Sequence, residues 1–143
     1  MKKLLSTLVS SAMAAGAGLA HGQSTVLVEF QGPGGHSSSN YGRTSALHAA
    51  ARAVMALQKS GLPAGSYAVT DLSGGNSVNS IASDGKFVAT LNAQSGVSAG
   101  DFLAKVTEAA KTGSAAENAF RNVKAGDLTA GAPADIRYAV KPQ

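Results

Sequence analysis

His36 is the residue around which chemistry could be built. It stands in the loop Gly32-Pro33-Gly34-Gly35-His36-Ser37-Ser38-Ser39-Asn40, with His48 a dozen residues on and His21 near the start. Glycines and hydroxyls ahead of a helix can present backbone donors to an anion. This loop lacks the lysine of a phosphate-binding loop and the third glycine of a dinucleotide fingerprint, so a flexible turn is the better reading. A nucleophile–histidine–acid triad on His36 has no support in the sequence, because nucleophile and base must meet in space. A metal site needs several histidines or carboxylates together. No His-x-Asp, His-x-x-x-His or adjacent acidic pair occurs, and the eight acidic residues are scattered. Dinuclear metal hydrolysis by this chain alone is therefore not expected, and neither is any bound cofactor.

The elements that must hold this loop follow from periodicity. Thr25-Val26-Leu27-Val28-Glu29-Phe30 is β-branched and apolar and stops at the glycine-rich loop, as a strand would. From about Arg43 to Ser60, Leu47, Ala50, Val54 and Leu57 recur at helical steps until Gly61-Leu62-Pro63 ends the pattern. Ser66 to Leu72 and Lys86 to Ala93 read as an antiparallel pair, joined through Ser73-Gly74-Gly75-Asn76-Ser77 and Ser83-Asp84-Gly85. Ser98 with Asp101 resembles a capping box ahead of a helix faced by Phe102, Leu103, Val106, Ala109 and Ala110. Gly113-Ser114 is expected to break that helix, with Ala115 to Val123 as a second piece. Asp135 to Val140 is the last strand, after a flexible stretch holding Gly126, Gly131 and Pro133. The order strand, helix, strand, strand, helix, strand predicts an α+β, ferredoxin-like two-layer sandwich: an antiparallel four-stranded sheet with two helices on one face.

The opening residues bear on the compartment. Met1-Lys2-Lys3 is a short basic start, Leu4 to Ala20 carries no charge, and small residues follow. This is the pattern of a secretory signal peptide over residues 1–22, with cleavage fitting after Ala20 or after Gly22. A membrane anchor fits less well, since the stretch is rich in Ala, Gly and Ser and short of ~20 strongly apolar residues. The mature chain is then one domain, residues 23–143, secreted or periplasmic, with no membrane contact after cleavage. Loss of Lys2 and Lys3 leaves ten basic residues against eight acidic, so the basic balance belongs partly to the leader. The absence of cysteine removes both a disulfide framework and thiolate metal sites.

Two motifs in this frame resemble the inserted dimerisation, or lid, domain of metallopeptidase family twenty, which includes aminoacylase, carboxypeptidase G, peptidase T and succinyl-diaminopimelate desuccinylase. One is Gly32-Pro33-Gly34-Gly35-His36-Ser37 running on to Gly42-Arg43 and Ala46. The other is Ser73-Gly74-Gly75-Asn76-Ser77-Val78-Asn79-Ser80-Ile81. The resemblance covers Val26 to Ser95 and is topological beyond. It implies a domain that pairs with its twin, or with a related full-length peptidase, through the first helix and an edge strand. His36 would polarise a scissile carbonyl at the other subunit's zinc pair, and Asn79 would line the same pocket. Read from the residues alone, the better reading is that Asn79 closes the hairpin connection through local backbone bonds.

The sequence departs from the family in two ways. The third strand of these peptidases usually ends Asp-Leu-Arg-Ser, whereas here it runs Asn92-Ala93-Gln94-Ser95, which replaces a bidentate guanidinium with a neutral amide. The family's catalytic domain, which binds the zinc, precedes and follows the lid, whereas here the leader runs almost directly into the first lid strand. An internal deletion, a free-standing module and an engineered excision all fit that arrangement. The expected role is a dimerising, non-catalytic module; its alternative is a subunit supplying His36 and Asn79 in trans. The small residues Ala46, Ala49, Ala50, Ala53 and Ala56 either admit a partner or face the domain's own sheet. Single-stranded RNA binding, which the same frame can host, is disfavoured by few aromatics and the lack of a basic stripe.

Overall fold

A computed structural model describes residues 24–143 of the 143-residue chain. The leader expected over residues 1–22, with His21, lies outside the described residues. Among these residues no helix is long and apolar enough to cross a membrane.

Strand β1 (Thr25–Gln31) alternates as a half-buried strand must, with Val26, Val28 and Phe30 turned inward. A two-residue strand β2 (Gly35–His36) follows, then helix α1 (Ala46–Gln58), strand β3 (Tyr67–Gly74), the short β4 (Ser80–Ile81) and strand β5 (Asp84–Leu91). Helix α2 (Ala99–Phe120), a small hairpin of β6 (Leu128–Thr129) and β7 (Ala132–Pro133), and strand β8 (Arg137–Pro142) complete the chain. The main sheet is antiparallel in the order β3-β5-β1-β8. Both helices lie on one face of it, so the fold is the ferredoxin-like α+β sandwich expected from the element order. α1 packs over β3, β5 and β1, and α2 over β8, β1 and β5. One lateral edge of the molecule is thus α1 with β3, and the other is α2 with β8.

Each helix is started by a serine. Ser45 Oγ accepts the His48 backbone N–H at 3.2 Å, and Ser98 Oγ accepts that of Asp101 at 3.1 Å. Between helices and sheet sits a core of Phe30 stacked on Phe87, with Leu57, Phe102, Val106 and Leu91 around them.

Several sequence expectations are corrected by packing. α2 is one unbroken helix through Gly113-Ser114. A Cβ at Gly113 would sit 2.5 Å from the backbone N of Ala53 and 2.7 Å from the carbonyl O of Ala49. Gly113 is therefore where the two helix backbones meet, and tertiary contact outweighs its ~1 kcal/mol helix penalty. The same seam answers the question of the alanines. Ala46, Ala49, Ala50 and Ala53 are fully buried inside their own domain, and Ala56 packs against its core, so this stripe is not a free pairing surface. The last strand begins at Arg137, two residues late, because Asp135-Ile136 is spent on an anchor: Ile136 is buried, and its N–H donates to Asn118 Oδ1 at 2.7 Å. The stretch before it is ordered into the β6–β7 hairpin, whose turn residues Ala130 and Gly131 both have positive φ (50° and 82°).

Candidate functional site

Glycines build the platform that carries His36. The Gly32 N–H donates to Ser83 O at 2.9 Å, and a Cβ on Gly32 would meet Ile136 Cδ1 at 2.9 Å. Gly34 (φ +70°) and Gly35 (φ +127°) then turn the chain through left-handed conformations that side chains resist. Asn40 and Arg43 lie against Gly35, where a Cβ would fall 2.8 Å from Asn40 Nδ2 and from Arg43 Nη1. Arg43 donates to Gly34 O at 2.9 Å, and Asn40 Nδ2 to His36 O at 3.0 Å. The loop expected to be flexible is in this way tied at both carbonyls.

The second motif supplies the facing wall. β2 and β4 pair antiparallel, Gly35 opposite Ile81 and His36 opposite Ser80, and the Ser37 N–H donates to Asn79 O at 2.9 Å. At the foot of that wall Gly74 is packed against the start of β5, and Gly75 (φ +81°) donates to Asp84 Oδ1 at 3.1 Å. This ladder brings together two side chains 43 positions apart: Asn79 Nδ2 and His36 Nε2 are 3.3 Å from each other. The other ring nitrogen, Nδ1, faces Ser38 Oγ at 3.0 Å and the Ser38 backbone N–H at 3.4 Å. Asn79 does more than close the hairpin, although its backbone does that too.

Both side chains of the pair are exposed. A groove of about 280 Å³ runs beside them, lined by Ser37, Tyr41, Arg43, Ser45, His48 and Arg121 among others, but neither His36 nor Asn79 lines it. Among the described residues the pair forms an exposed hydrogen-bonding surface. No three His, Asp or Glu side chains converge among the described residues, and His36 itself faces a serine and an amide, so the donor set does not fit a zinc ion.

The Asn92-Ala93-Gln94-Ser95 segment is at the opposite end of the sheet. Asn92 follows the last residue of β5, whereas the pair lies beyond its first, Asp84, so about 26 Å of strand separates them. Asn92 is spent on a turn, donating to Gly65 O at 3.2 Å and accepting from the Gln94 N–H at 3.1 Å. Within one copy, these two regions cannot touch one small ligand.

A feature the scattered acids concealed is Glu117, on α2 one turn after Gly113. Its carboxylate is fully buried and accepts from the Ser45 N–H at 2.9 Å, Arg52 Nε at 2.9 Å and Arg121 Nε at 3.4 Å. It thereby fixes the first turn of α1, which leads out of the His36 loop. Both guanidinium groups also rest on the exposed ring of Phe120, at 5.0 and 4.8 Å. Helical spacing places Arg121 four residues after Glu117, but only the fold adds Arg52 and Ser45.

Comparison with known structures agrees with this architecture. The chain is similar to a hydantoinase/carbamoylase family amidase from Burkholderia ambifaria (18% identity, TM-score 0.60), covering 85% of this chain and 27% of that one. It is similar to another such amidase from Burkholderia multivorans (20%, TM-score 0.54; 85% and 27%). An aminobenzoyl-glutamate utilization protein from Klebsiella pneumoniae resembles it to the same extent (22%, TM-score 0.52; 84% and 27%). The chain spans about a quarter of the length of these structures, and at such identities the likeness is one of fold. No curated protein matches it in sequence. The family model described as "Peptidase dimerisation domain" matches residues 18–118. With its two glycine motifs, its strand order and that match in agreement, the chain belongs to the peptidase dimerisation domain of metallopeptidase family twenty, a family of hydrolases.

Proposed function

We propose that the chain is a protein–protein assembly module that pairs with a second copy of itself, or with a related full-length peptidase, and has no catalysis of its own. The observation that carries this is the α1–β3 edge. Among the described residues β3 hydrogen-bonds to β5 on one side only and its outer side is unpaired, and α1 lies directly over it with Met55 half exposed and Leu72 exposed on the strand. An unpaired edge strand is a ready template for another chain. The bulge between Thr70 and Ser73, with Asp71 at φ 57°, limits the straight part of that edge to Tyr67–Thr70, so the helix must supply the remaining contact. Secretion or a periplasmic location belongs to this proposal and rests on the leader pattern alone.

Sedimentation equilibrium of residues 23–143, which hold every described element of the fold, tests it. A dimer is expected, and Met55→Lys is expected to weaken it by about tenfold or more, since a charge would be forced against the partner. A strict monomer up to about 100 μM, where the pairing free energy would be weaker than about −5.5 kcal/mol, overturns pairing with a second copy.

A second reading is favoured by the His36–Asn79 pair. Two exposed side chains carried on a glycine platform suit a site completed by another chain. In this reading the pair is supplied in trans to the catalytic domain of a related hydrolase, and His36 donates to an oxygen on which negative charge develops. Hydrolysis above that of the catalytic chain alone is expected on mixing, and its loss in His36→Ala. A mixture that behaves as the catalytic chain by itself refutes the reading.

A further inference from the structure

The groove at the start of α1 holds basic groups that the fold does not balance. It has a volume of about 280 Å³, and Arg43, His48 and Arg121 lie in its wall with no carboxylate among the lining residues. The larger hollow between β5, β1 and β8, about 470 Å³, is built differently: there Glu29 and Asp84 stand against Lys86 and Arg137. The one acid behind the groove is the buried Glu117, and several donors share it. Its Oε2 accepts the Ser45 N–H at 2.9 Å and Arg121 Nε at 3.4 Å, and lies 4.0 Å from His48 Nδ1, while Oε1 takes Arg52 Nε at 2.9 Å. Arg43 gives its Nη1 hydrogen to a neutral group, the Gly34 carbonyl, and has no ion-pair partner among the described residues. Three guanidinium groups thus stand on or behind this wall against one carboxylate.

Arg121 reaches Glu117 through Nε alone, so among the described residues its two Nη nitrogens have no protein acceptor, and the side chain keeps 21% of its surface exposed. The first turn of α1 adds a backbone donor. The Ser45 N–H goes to Glu117, that of Ala46 to Ala82 O at 3.0 Å and that of His48 to Ser45 Oγ at 3.2 Å. The Leu47 N–H has no acceptor among the described residues, and Leu47 lines the groove. An open N–H at a helix start favours negative charge, in the same direction as the guanidinium excess. The rest of the wall includes apolar surface from Leu47, Ile81 and the almost fully exposed ring of Tyr41.

We propose that this groove is a carboxylate-binding site, in which Arg121, with Arg43, His48 and the Leu47 N–H, holds the anionic end of a ligand whose short apolar body rests on Tyr41, Leu47 and Ile81. A guanidinium with free Nη hydrogens suits a planar carboxylate, and such charge-assisted hydrogen bonds are the strong ones. The volume is at the lower end for ligand pockets, which limits the occupant to one aromatic ring or a short aliphatic chain with its acid group. Neither His36 nor Asn79 takes part, and the site requires neither pairing nor a catalytic chain.

Amide NMR of residues 23–143 at neutral pH, titrated with sodium benzoate against sodium chloride of equal ionic strength, tests this. The amides of Leu47, His48 and Gly75 are expected to shift and to saturate with a Kd of about 1–10 mM, while those of Lys86 and Arg137 at the balanced hollow stay in place. Benzamide, which has the shape without the charge, is expected to shift none of them. Arg121→Gln leaves Glu117 with the Ser45 N–H and Arg52, and should weaken benzoate about tenfold, the loss of one charge-assisted hydrogen bond. Tyr41→Ser alters a side chain outside the core, so it keeps the site testable if Arg121→Gln does not fold; it should weaken benzoate about threefold and leave acetate unchanged. Absence of shifts up to about 50 mM benzoate, equal shifts with benzamide, or unaltered benzoate affinity in a folded variant overturns the proposal. N-acetylglutamate α-amide, a glutamate side chain without its main-chain charges, separates the sources: tighter binding than benzoate assigns the carboxylate to a protein side chain, and weaker binding to a small acid.

Discussion

In the seam between α1 and α2, Gly113 is required because there is no room for a Cβ; in the loop that carries His36, Gly34 and Gly35 are required because the backbone takes conformations that side chains resist. The first region is buried and lined with alanines beside one buried carboxylate. The second is exposed, polar and held by hydrogen bonds donated by Asn40, Arg43 and the Ser37 N–H, and by the one that Asp84 accepts from the Gly75 N–H. Stability is therefore concentrated in the seam, and the geometry of the candidate site in the loop. The two are joined where Glu117 caps the start of α1.

Substitutions can break or sharpen that contrast. The largest effect is expected for Gly113→Leu, which forces the helix backbones apart. Overpacking costs about 1–3 kcal/mol where neighbours can give, and backbone atoms cannot, so a loss of about 3 kcal/mol or more should appear in urea denaturation at fixed protein concentration. A loss below about 1 kcal/mol would mean that the helices are not in contact there. Glu117→Ala comes next. It leaves the Ser45 N–H and Arg52 without their acceptor, and because Arg52 keeps partial access to water the expected loss is about 2–3 kcal/mol. Gly35→Ala should cost about 1–2 kcal/mol through its left-handed backbone, and the histidine resonances of His36 should shift while those of His48 stay in place. His36→Ala should leave the denaturation midpoint unchanged and abolish any activity gained on mixing. A large destabilisation in that variant would make His36 a structural residue and erase the difference between the regions.

Much of the fold was readable because it is written locally. β1 is a β-branched, apolar run that stops at glycines, Ser98 stands before a helical pattern, and Gly61 follows one. The α1 face was read a little out of phase. Leu47 and Val54 carried the apolar signal, but the buried line runs through Ala46, Ala49, Ala50 and Ala53. Periodicity weights a side chain by its hydrophobicity, whereas close helix packing selects it for its size. The expected break at Gly113 failed for the same reason, since a glycine in a helix reads as weakness until its neighbour is known.

What the sequence determined by itself is the order of elements, the ferredoxin-like frame and the two glycine motifs, all of which depend on residues close together along the chain. Only the tertiary structure decided that Glu117 gathers Ser45, Arg52 and Arg121, that the Asn92–Ser95 turn lies at the far end of the sheet from His36, and that His36 meets Asn79. Hydrogen-bond directions and steric exclusion act over a few ångströms of space, and 43 positions of sequence carry no record of that distance until the β2–β4 ladder closes it.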